Sequence, residues 1–319
     1  MDLRVHEGTQ VYTGGEGRFV FGVLGPDGKP LPPLAGDAAG GFTVIFEYEL
    51  VATTTDQLRD WAQRWAGLGR FSVGSPDYLR ALEGVTRRFT DRGQAPGKAN
   101  GNALNQIRSN ELALGAPWEL REFTLTPTGL RPNPVAVTPD ILALNGTPAL
   151  AQLINDNETA LLAGTFLLSE SNEGASALAG PFRLSDFPNS SNRTFTAIDL
   201  VAPFYDVPWS AAGIRNNDAR QAFALNTCGG CHRTETGAAF LQIGFPKGNQ
   251  LPLRLGQPAA LAGFLTGVTV PDPVVPTTSR SFADLKRRQE DFSALLGKLG
   301  PTTSSTTVML PRHMPNFVH

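Results

Sequence analysis

Both cysteines of the chain lie in one pentapeptide, Cys228-Gly229-Gly230-Cys231-His232. The order C-x-x-C-H is the attachment signature of c-type haem, in which two thiols add to the porphyrin vinyl groups and the adjacent imidazole binds the iron. The spacing therefore predicts one covalently attached haem c. Cys228 and Cys231 are the expected attachment points, and His232 is the expected proximal ligand of the iron.

Other uses of the same residues stay open. A C-x-x-C pair in an exported protein can be a plain disulfide, here Cys228–Cys231. In a cytosolic protein it can be a redox pair or half of a zinc site. Zinc needs a fourth ligand, and the sequence contains no second C-x-x-C and no H-x-x-H. Haem is the first interpretation, and the disulfide is the second.

A second axial ligand for the iron would come from the C-terminal tail. Met309, His313 and Met314 lie close together there, and between His232 and residue 308 the sequence has neither methionine nor histidine. If the tail folds back, His313 gives bis-histidine coordination, whereas Met309 or Met314 gives histidine–methionine coordination. The alternative is a loose terminus that supplies no ligand and leaves the sixth position open.

The N-terminal part alternates strand and helix patterns. Residues 17–24 and 41–50 read as strands, followed by two amphipathic helices that begin near Thr54 and Ser75. Within 95–112 a strand containing Leu104 and Ile107 is expected after a Gly-rich loop, and another strand is expected at 118–127. A further helix is expected to begin at the cap Thr147, with Pro148 behind it. We predict an α+β fold: an N-terminal mixed antiparallel sheet with helices, followed by a mainly helical C-terminal region, whose resemblance to a cytochrome c domain is described below.

The C-terminal part favours helices. A helix over 217–227 runs directly into the cysteine motif, a short apolar helix is expected at 257–267, and a longer one at 281–300 with Ser281 as its cap. The stretch 165–215 is rich in loop residues. We therefore expect a sheet-containing domain over 1–165, a loop-rich connection over 166–215, and a helical domain over 216–319.

Polar residues alternate along the predicted strands. The segments NQIRSNE and WELREF gather Asn105, Gln106, Arg108, Asn110, Glu111, Glu119, Arg121 and Glu122, and Glu47 and Glu49 can join them from a neighbouring strand. Paired carboxylates beside an arginine can transfer protons or bind a polar ligand. Such residues more often form a solvated sheet face with cross-strand ion pairs, which is the reading we adopt.

Composition narrows the functional classes. The chain has 319 residues, 41% of them hydrophobic, and a formal net charge of −2. It lacks the basic patches of a nucleic-acid-binding protein and any apolar run long enough to cross a membrane. The opening MDLRVHEGTQ has no signal-peptide pattern. Because the motif is typical of exported proteins, we expect a mature periplasmic or extracellular protein whose export signal has been removed.

Two resemblances extend this interpretation. The order helix, C-x-x-C-H, short helix and closing helix over about 216–300 resembles a small c-type cytochrome domain. The segments GRFVFGV, FTVIFEYEL, NQIRSNEL, WELREFTL and FALNTCGGCHRTET resemble, in the same order, a group of uncharacterised exported bacterial proteins with a C-x-G-C-H motif. This second resemblance covers most of the chain and implies an architecture rather than an activity.

The expected function is electron transfer through one covalent haem, with a redox partner protein. One alternative is a haem enzyme or sensor with an open axial site, so enzymatic activity is left undecided. Another is a non-haem binding or structural module that contains a Cys228–Cys231 disulfide.

Overall fold

The computed structural model describes residues 16–26, 43–50, 52, 54–110, 120–133, 139, 144–166, 207–227, 229–238, 242–244 and 260–299. These residues form an α+β structure. The N-terminal part is a five-stranded antiparallel sheet with helices, and the C-terminal part combines helices with small two-stranded sheets. The predicted α+β class and the N-terminal antiparallel sheet are confirmed.

The five-stranded sheet follows the order of the chain. Each strand pairs antiparallel with the next. The strands are β1 (Glu16–Gly22), β2 (Thr43–Glu49), β3 (Leu104–Asn110), β4 (Leu120–Thr126) and β5 (Gly129–Asn133).

Two helices cover one face of this sheet. Helix α1 (Thr55–Leu68) begins at a capping box in which Thr54 accepts from the Gln57 backbone and the Gln57 side chain accepts from the Thr54 backbone. Helix α2 (Pro76–Thr90) begins at Ser75, whose side chain accepts from the Tyr78 backbone. Both predicted helix starts are confirmed. Phe89 of α2 is buried against the aromatic rings of β1 and β2 and forms the centre of the first core.

The opposite face of the sheet carries a buried ionic cluster, which corrects the prediction of a solvated face. Glu47, Arg108 and Glu122 are each at most 1% exposed. The expected cross-strand pairing is present, because Arg108 Nη2 lies 2.8 Å from a Glu122 carboxylate oxygen and the two residues face each other across β3 and β4. Strand alternation placed these residues on one face, but it could not show that the face is covered.

A second core forms between three helices. They are α3 (Pro148–Asp156), which begins at the predicted Thr147 cap, α4 (Glu158–Leu162) and α5 (Asn217–Leu225). Trp209 packs edge-to-face on Phe223 of α5, with ring centroids 5.3 Å apart. This core therefore holds the helix that leads into the cysteine motif.

The remaining described elements follow the motif. They are β6 (Ile243–Gly244), β7 (Ala260–Leu261), α6 (Gly263–Thr266), β8 (Val268–Pro271), β9 (Ser279–Phe282) and α7 (Asp284–Leu299). Strands β6 and β7 pair antiparallel, as do β8 and β9.

Two predicted helix boundaries were wrong in this region. The predicted helix at 257–267 is helical only at Gly263–Thr266 within its described part, because residues 260 and 261 pair with β6. Ser281 does not cap the last helix; it lies in β9, opposite Thr269, and the helix begins at Asp284. Strand pairing overrode the helical pattern at both positions.

The last helix packs on the N-terminal part. Leu299 is buried in the first core together with residues of α1 and α2. The Arg59 side chain of α1 donates to the Leu299 carbonyl at 2.7 Å.

Much of the predicted connection at 166–215 lies outside the described residues, and the proposed domain boundaries stay a prediction. No helix in the described ranges is long and apolar enough to cross a membrane.

Candidate functional site

Helix α5 leads the chain into the cysteine motif. Its first turn is capped by Asn216, whose side-chain oxygen accepts from the backbones of Asp218 and Ala219. Ala219, Phe223 and Ala224 bury one face of the helix in the second core. This packing fixes the direction in which the chain leaves the helix at Leu225.

Thr227, the residue before Cys228, joins three segments through one buried hydroxyl. The hydroxyl donates to the Ala224 carbonyl at 2.7 Å. It accepts from the Trp209 indole nitrogen at 2.9 Å and from the Gly230 backbone at 3.1 Å. A hydroxyl offers one donor and two acceptor positions, so Thr227 uses its full hydrogen-bonding capacity.

The motif itself continues as a π-helical turn, Gly230–Thr234. The Glu235 backbone donates to the Gly230 carbonyl at 3.0 Å, which is the wide spacing of a π-turn. Gly230 has no room for a side chain, because a Cβ there would overlap the Ala224 carbonyl and lie 2.9 Å from the Thr227 hydroxyl oxygen. A glycine is therefore required at the second position between the cysteines.

Cys231 and His232 are both buried. Cys231 is 0% exposed and clusters with Phe264 and Leu265 of α6, against which Phe282 also packs. His232 is 7% exposed. The sulfur-bearing residue thus lies in an apolar, aromatic environment made by the elements that follow the motif.

The backbone carbonyl of Cys231 is held from two directions. The Thr236 hydroxyl donates to it at 2.7 Å, and the Gln242 amide donates to it at 3.0 Å. Both donors belong to buried side chains. The position of Cys231 is therefore fixed by side chains downstream of the motif as well as by helix α5.

A buried ionic cluster surrounds the C-terminal end of the motif. Arg220 of α5 forms a two-point pair with Glu235, with N–O distances of 2.6 Å and 3.0 Å. The same guanidinium contacts Asp272, which also binds Arg280 at 2.9 Å. We call Arg220, Glu235, Asp272 and Arg280 the motif cluster. Arg280 also pairs with the exposed Asp218 of α5, at 2.7 Å.

The carboxylates of the motif cluster differ in pKa. Burial alone would raise the pKa of Asp272, but hydrogen bonds from the Val275 and Val274 backbones and the Asn217 amide, together with the Arg220 charge, lower it to about 2. Burial raises the pKa of Glu235 above its usual value, against the opposing hydrogen bonds and charge of Arg220. Asp272 is thus the firmly ionised member of the cluster.

The predicted site residues divide into two groups. Cys231 and His232 lie together in the buried turn just described. Cys228, Met309, His313 and Met314 lie outside the described residues, so the proposed attachment through Cys228 and the proposed distal ligands stay predictions. Within the described ranges, no group of three or more His, Cys, Asp and Glu side chains is placed to hold a metal ion.

Sequence reasoning missed the residues that support the motif. The analysis of the sequence did not single out Thr227, Arg220 and Asp272, although these residues contact one another or the segment around the cysteine motif. Arg220 carried a weak signal, because it is a charged residue among the apolar positions of a short helix. Asp272 carried none, since it is 52 residues away from Arg220 in the chain.

The residues present fit a covalently held, largely apolar group such as haem. An apolar aromatic cluster lies at Cys231, and a buried imidazole follows directly in the chain. A c-type attachment would use such a cysteine for a thioether bond and the imidazole that follows it as an iron ligand. No protein-family model, curated protein or solved structure matches the chain.

Proposed function

We propose that the chain is a c-type haem protein that transfers electrons in the periplasm or at the cell surface. One haem would be attached covalently through Cys228 and Cys231, with His232 as its proximal ligand. A redox partner protein would exchange electrons with it. The cytochrome c-like character of the C-terminal region belongs to this proposal.

One observation carries the proposal. The only cysteines of the chain stand in C-x-x-C-H order, and the second cysteine and the histidine are both buried, with the cysteine beside Phe264 and Phe282. The order of these residues carries the haem proposal, and the apolar side chains beside Cys231 would form part of the wall of the haem site.

The chain's own residues would position the attachment. Thr227 and Gly230 set the path of the backbone through the motif, and Gln242 and Thr236 hold the Cys231 carbonyl. When bound, haem supplies a one-electron redox centre. Aromatic and aliphatic side chains around Cys231 would exclude water from it, which limits solvent reorganisation when its charge changes.

The motif cluster supports the same function through its geometry. Arg220 pairs with Glu235 and Asp272, and Asp272 pairs in turn with Arg280. These contacts tie Glu235, three residues after His232, to α5 and to the β8–β9 hairpin. The cluster would thereby help to fix the turn that carries the imidazole.

The test is expression of the full chain with an export signal and a haem-ligation system. We expect a c-type absorption spectrum whose haem stays with the polypeptide after denaturation, because thioether bonds survive unfolding. Cys231→Ala should weaken the attachment, and His232→Ala should alter the axial coordination seen in the spectrum. Thr266→Ala is the control: Thr266 is an exposed threonine of α6 whose hydroxyl donates only within its own turn, to the Ala262 carbonyl, and its replacement should leave both unchanged.

Two outcomes would favour the alternatives. Binding of carbon monoxide or cyanide by the reduced or oxidised protein would indicate an open axial site and a haem enzyme or sensor. Absence of covalent haem, together with a Cys228–Cys231 disulfide detected by mass spectrometry, would overturn the haem proposal.

Single substitutions of Met309, His313 and Met314 would identify a distal ligand by a change in the low-spin spectrum.

A further inference from the structure

Helices α1 and α2 form an antiparallel hairpin. Arg88 near the end of α2 pairs with Asp60 in α1, with an N–O distance of 2.6 Å. The neighbouring rings of Trp61 and Phe89 lie 5.8 Å apart. The loop at 69–75 therefore forms the far end of this hairpin.

This far end exposes four apolar side chains. Val73 in the loop is 86% exposed, and Leu79 in the first turn of α2 is 54% exposed. Phe71 in the loop and Trp65 in the last turn of α1 are exposed as well. We call Trp65, Phe71, Val73 and Leu79 the hairpin tip. Val73 contributes nothing to a core. Exposed apolar side chains that lie together can instead form a binding surface.

Arginines surround the hairpin tip. Residues 64–80 contain Arg64, Arg70 and Arg80 and one acidic residue, Asp77, which gives this segment a formal charge of +2. Arg64 is paired with Asp60 and Arg80 with Asp77. The whole chain has a net charge of −2, so the remainder carries −4. The tip is thus locally basic on an acidic protein.

The charge of Arg70 is available to a ligand. Within the described residues its side chain donates only to the Gly67 carbonyl, at 3.3 Å, and pairs with no carboxylate. By contrast, Arg18 beside the exposed apolar residues of β1 is paired with Glu16 and Glu47. Exposed apolar groups and an uncompensated guanidinium therefore coincide at the hairpin tip and not at β1.

The loop is ordered before it binds. The backbone N–H of Phe71 donates to the Leu68 carbonyl at 3.1 Å, and that of Ser75 donates to the Ser72 carbonyl at 3.0 Å. Gly74 adopts a positive φ of 80°. Successive turns hold Val73 outward without a contribution from a ligand. A loop that is already ordered loses little conformational entropy when it binds.

We propose that the hairpin tip binds the surface of an anionic phospholipid membrane. A protein partner would need a concave pocket to enclose so exposed a side chain, whereas a lipid surface closes around a convex apolar tip. The indole of Trp65 suits the headgroup region, and guanidiniums pair with lipid phosphates. Val73 and Phe71 would enter the acyl boundary. The inference does not depend on the haem proposal.

The test is sedimentation of the full chain with phosphatidylcholine vesicles that contain or lack phosphatidylglycerol. We expect binding to the anionic vesicles, reduced by salt, and at least about tenfold weaker binding to the neutral ones. Val73→Asp should weaken binding more than about tenfold, because it adds a negative charge where an apolar group would insert. Arg70→Gln should weaken it about fivefold.

Leu130→Asp is the matched control. Leu130 is an exposed leucine on β5, and its replacement should leave vesicle binding unchanged. Thermal unfolding by circular dichroism establishes that each variant is folded. Three results would overturn the proposal: no binding to anionic vesicles, unchanged binding by Val73→Asp, or loss of self-association by that variant, which would assign the tip to a second copy of the chain.

Discussion

One hydroxyl group, that of Thr227, makes several of the hydrogen bonds that hold the cysteine motif in place. It is buried, and its oxygen links the end of α5, the indole of Trp209 and the turn that contains Gly230. A valine has nearly the same shape but cannot bond to any of them. The residue immediately before Cys228 is therefore expected to be among the least replaceable in the chain.

We predict that Thr227→Val lowers the free energy of unfolding by about 2–4 kcal/mol, because it leaves the Trp209 and Gly230 donors buried without an acceptor. Thr227→Ser keeps the hydroxyl and should cost about 1 kcal/mol for the lost methyl group. Urea unfolding followed by tryptophan fluorescence measures both. Equal losses in the two variants would show that the hydroxyl is not the stabilising feature.

Gly230 is restricted by space rather than by its backbone angles. We predict that Gly230→Ala destabilises the protein by at least about 2 kcal/mol, because the new Cβ would overlap the Ala224 carbonyl and force the turn to move. Gly84→Ala is the control, since a Cβ in the middle of α2 meets no atom within 4 Å.

Gly84→Ala should raise stability by about 0.5–1 kcal/mol through helix propensity. The same urea titration compares the two variants. A tolerated Gly230→Ala would mean that the turn at the motif is wider than its contacts indicate, and it would weaken the proposed site accordingly.

At the scale of elements, the sequence predicted what local chemistry determines. Thr54, Ser75 and Thr147 cap helices as expected, since each is a capping residue ahead of an apolar helical stripe. It failed where long-range pairing decides. Ser281 was predicted as a cap but lies in a strand, because β9 pairs with a β8 that the local pattern did not reveal.

The candidate site divides in the same way. Cys231 and His232 were proposed as site residues from their order in the chain, and the structure places both in one buried turn. The motif cluster was not identified, because Arg220, Glu235 and Asp272 come together only when α5, the turn after the motif and the β8–β9 hairpin pack. The burial of the Glu47–Arg108–Glu122 face was missed for a related reason: alternation in a strand defines two faces but not what covers them.

The β8–β9 hairpin is tied to α5 mainly through Asp272, which gives this contact a dependence on pH. The pKa of Asp272 is about 2 in the folded protein, below its usual 3.8. A lowered carboxyl pKa stabilises the fold above the unfolded value, and this stabilisation is lost as the pH falls from about 4 towards 2. The full contribution is about 2 kcal/mol.

We predict that Asp272→Asn is less stable than the parent protein near neutral pH and that the difference shrinks as the pH falls below about 4. Urea unfolding of both proteins at a series of pH values measures the difference. Groups away from the motif cluster titrate alike in both proteins and largely cancel, whereas Glu235 does not, because the Asp272 charge contributes to its raised pKa. A difference that stays constant down to about pH 3 would contradict the lowered pKa of Asp272.

In the whole molecule, the last described helix packs against the first two helices of the chain. The last described helix, α7, buries Leu299 among residues of α1 and α2, and Arg59 binds its final carbonyl. The cysteine motif lies between these two parts in sequence. Folding of the N-terminal core should therefore depend on a helix that follows the motif by more than fifty residues.

We predict that Leu299→Ala lowers the stability of the N-terminal core by about 2–4 kcal/mol, since it removes a buried side chain and leaves a cavity. Leu285→Ala changes an exposed leucine at the start of the same helix and should cost less than about 1 kcal/mol. Urea unfolding is followed by Trp61 fluorescence after Trp65, Trp118 and Trp209 are changed to Phe, so that only the first core is observed. If Leu299→Ala leaves the Trp61 transition unchanged, α7 is not part of that core, and the N-terminal sheet and its helices fold as an independent unit.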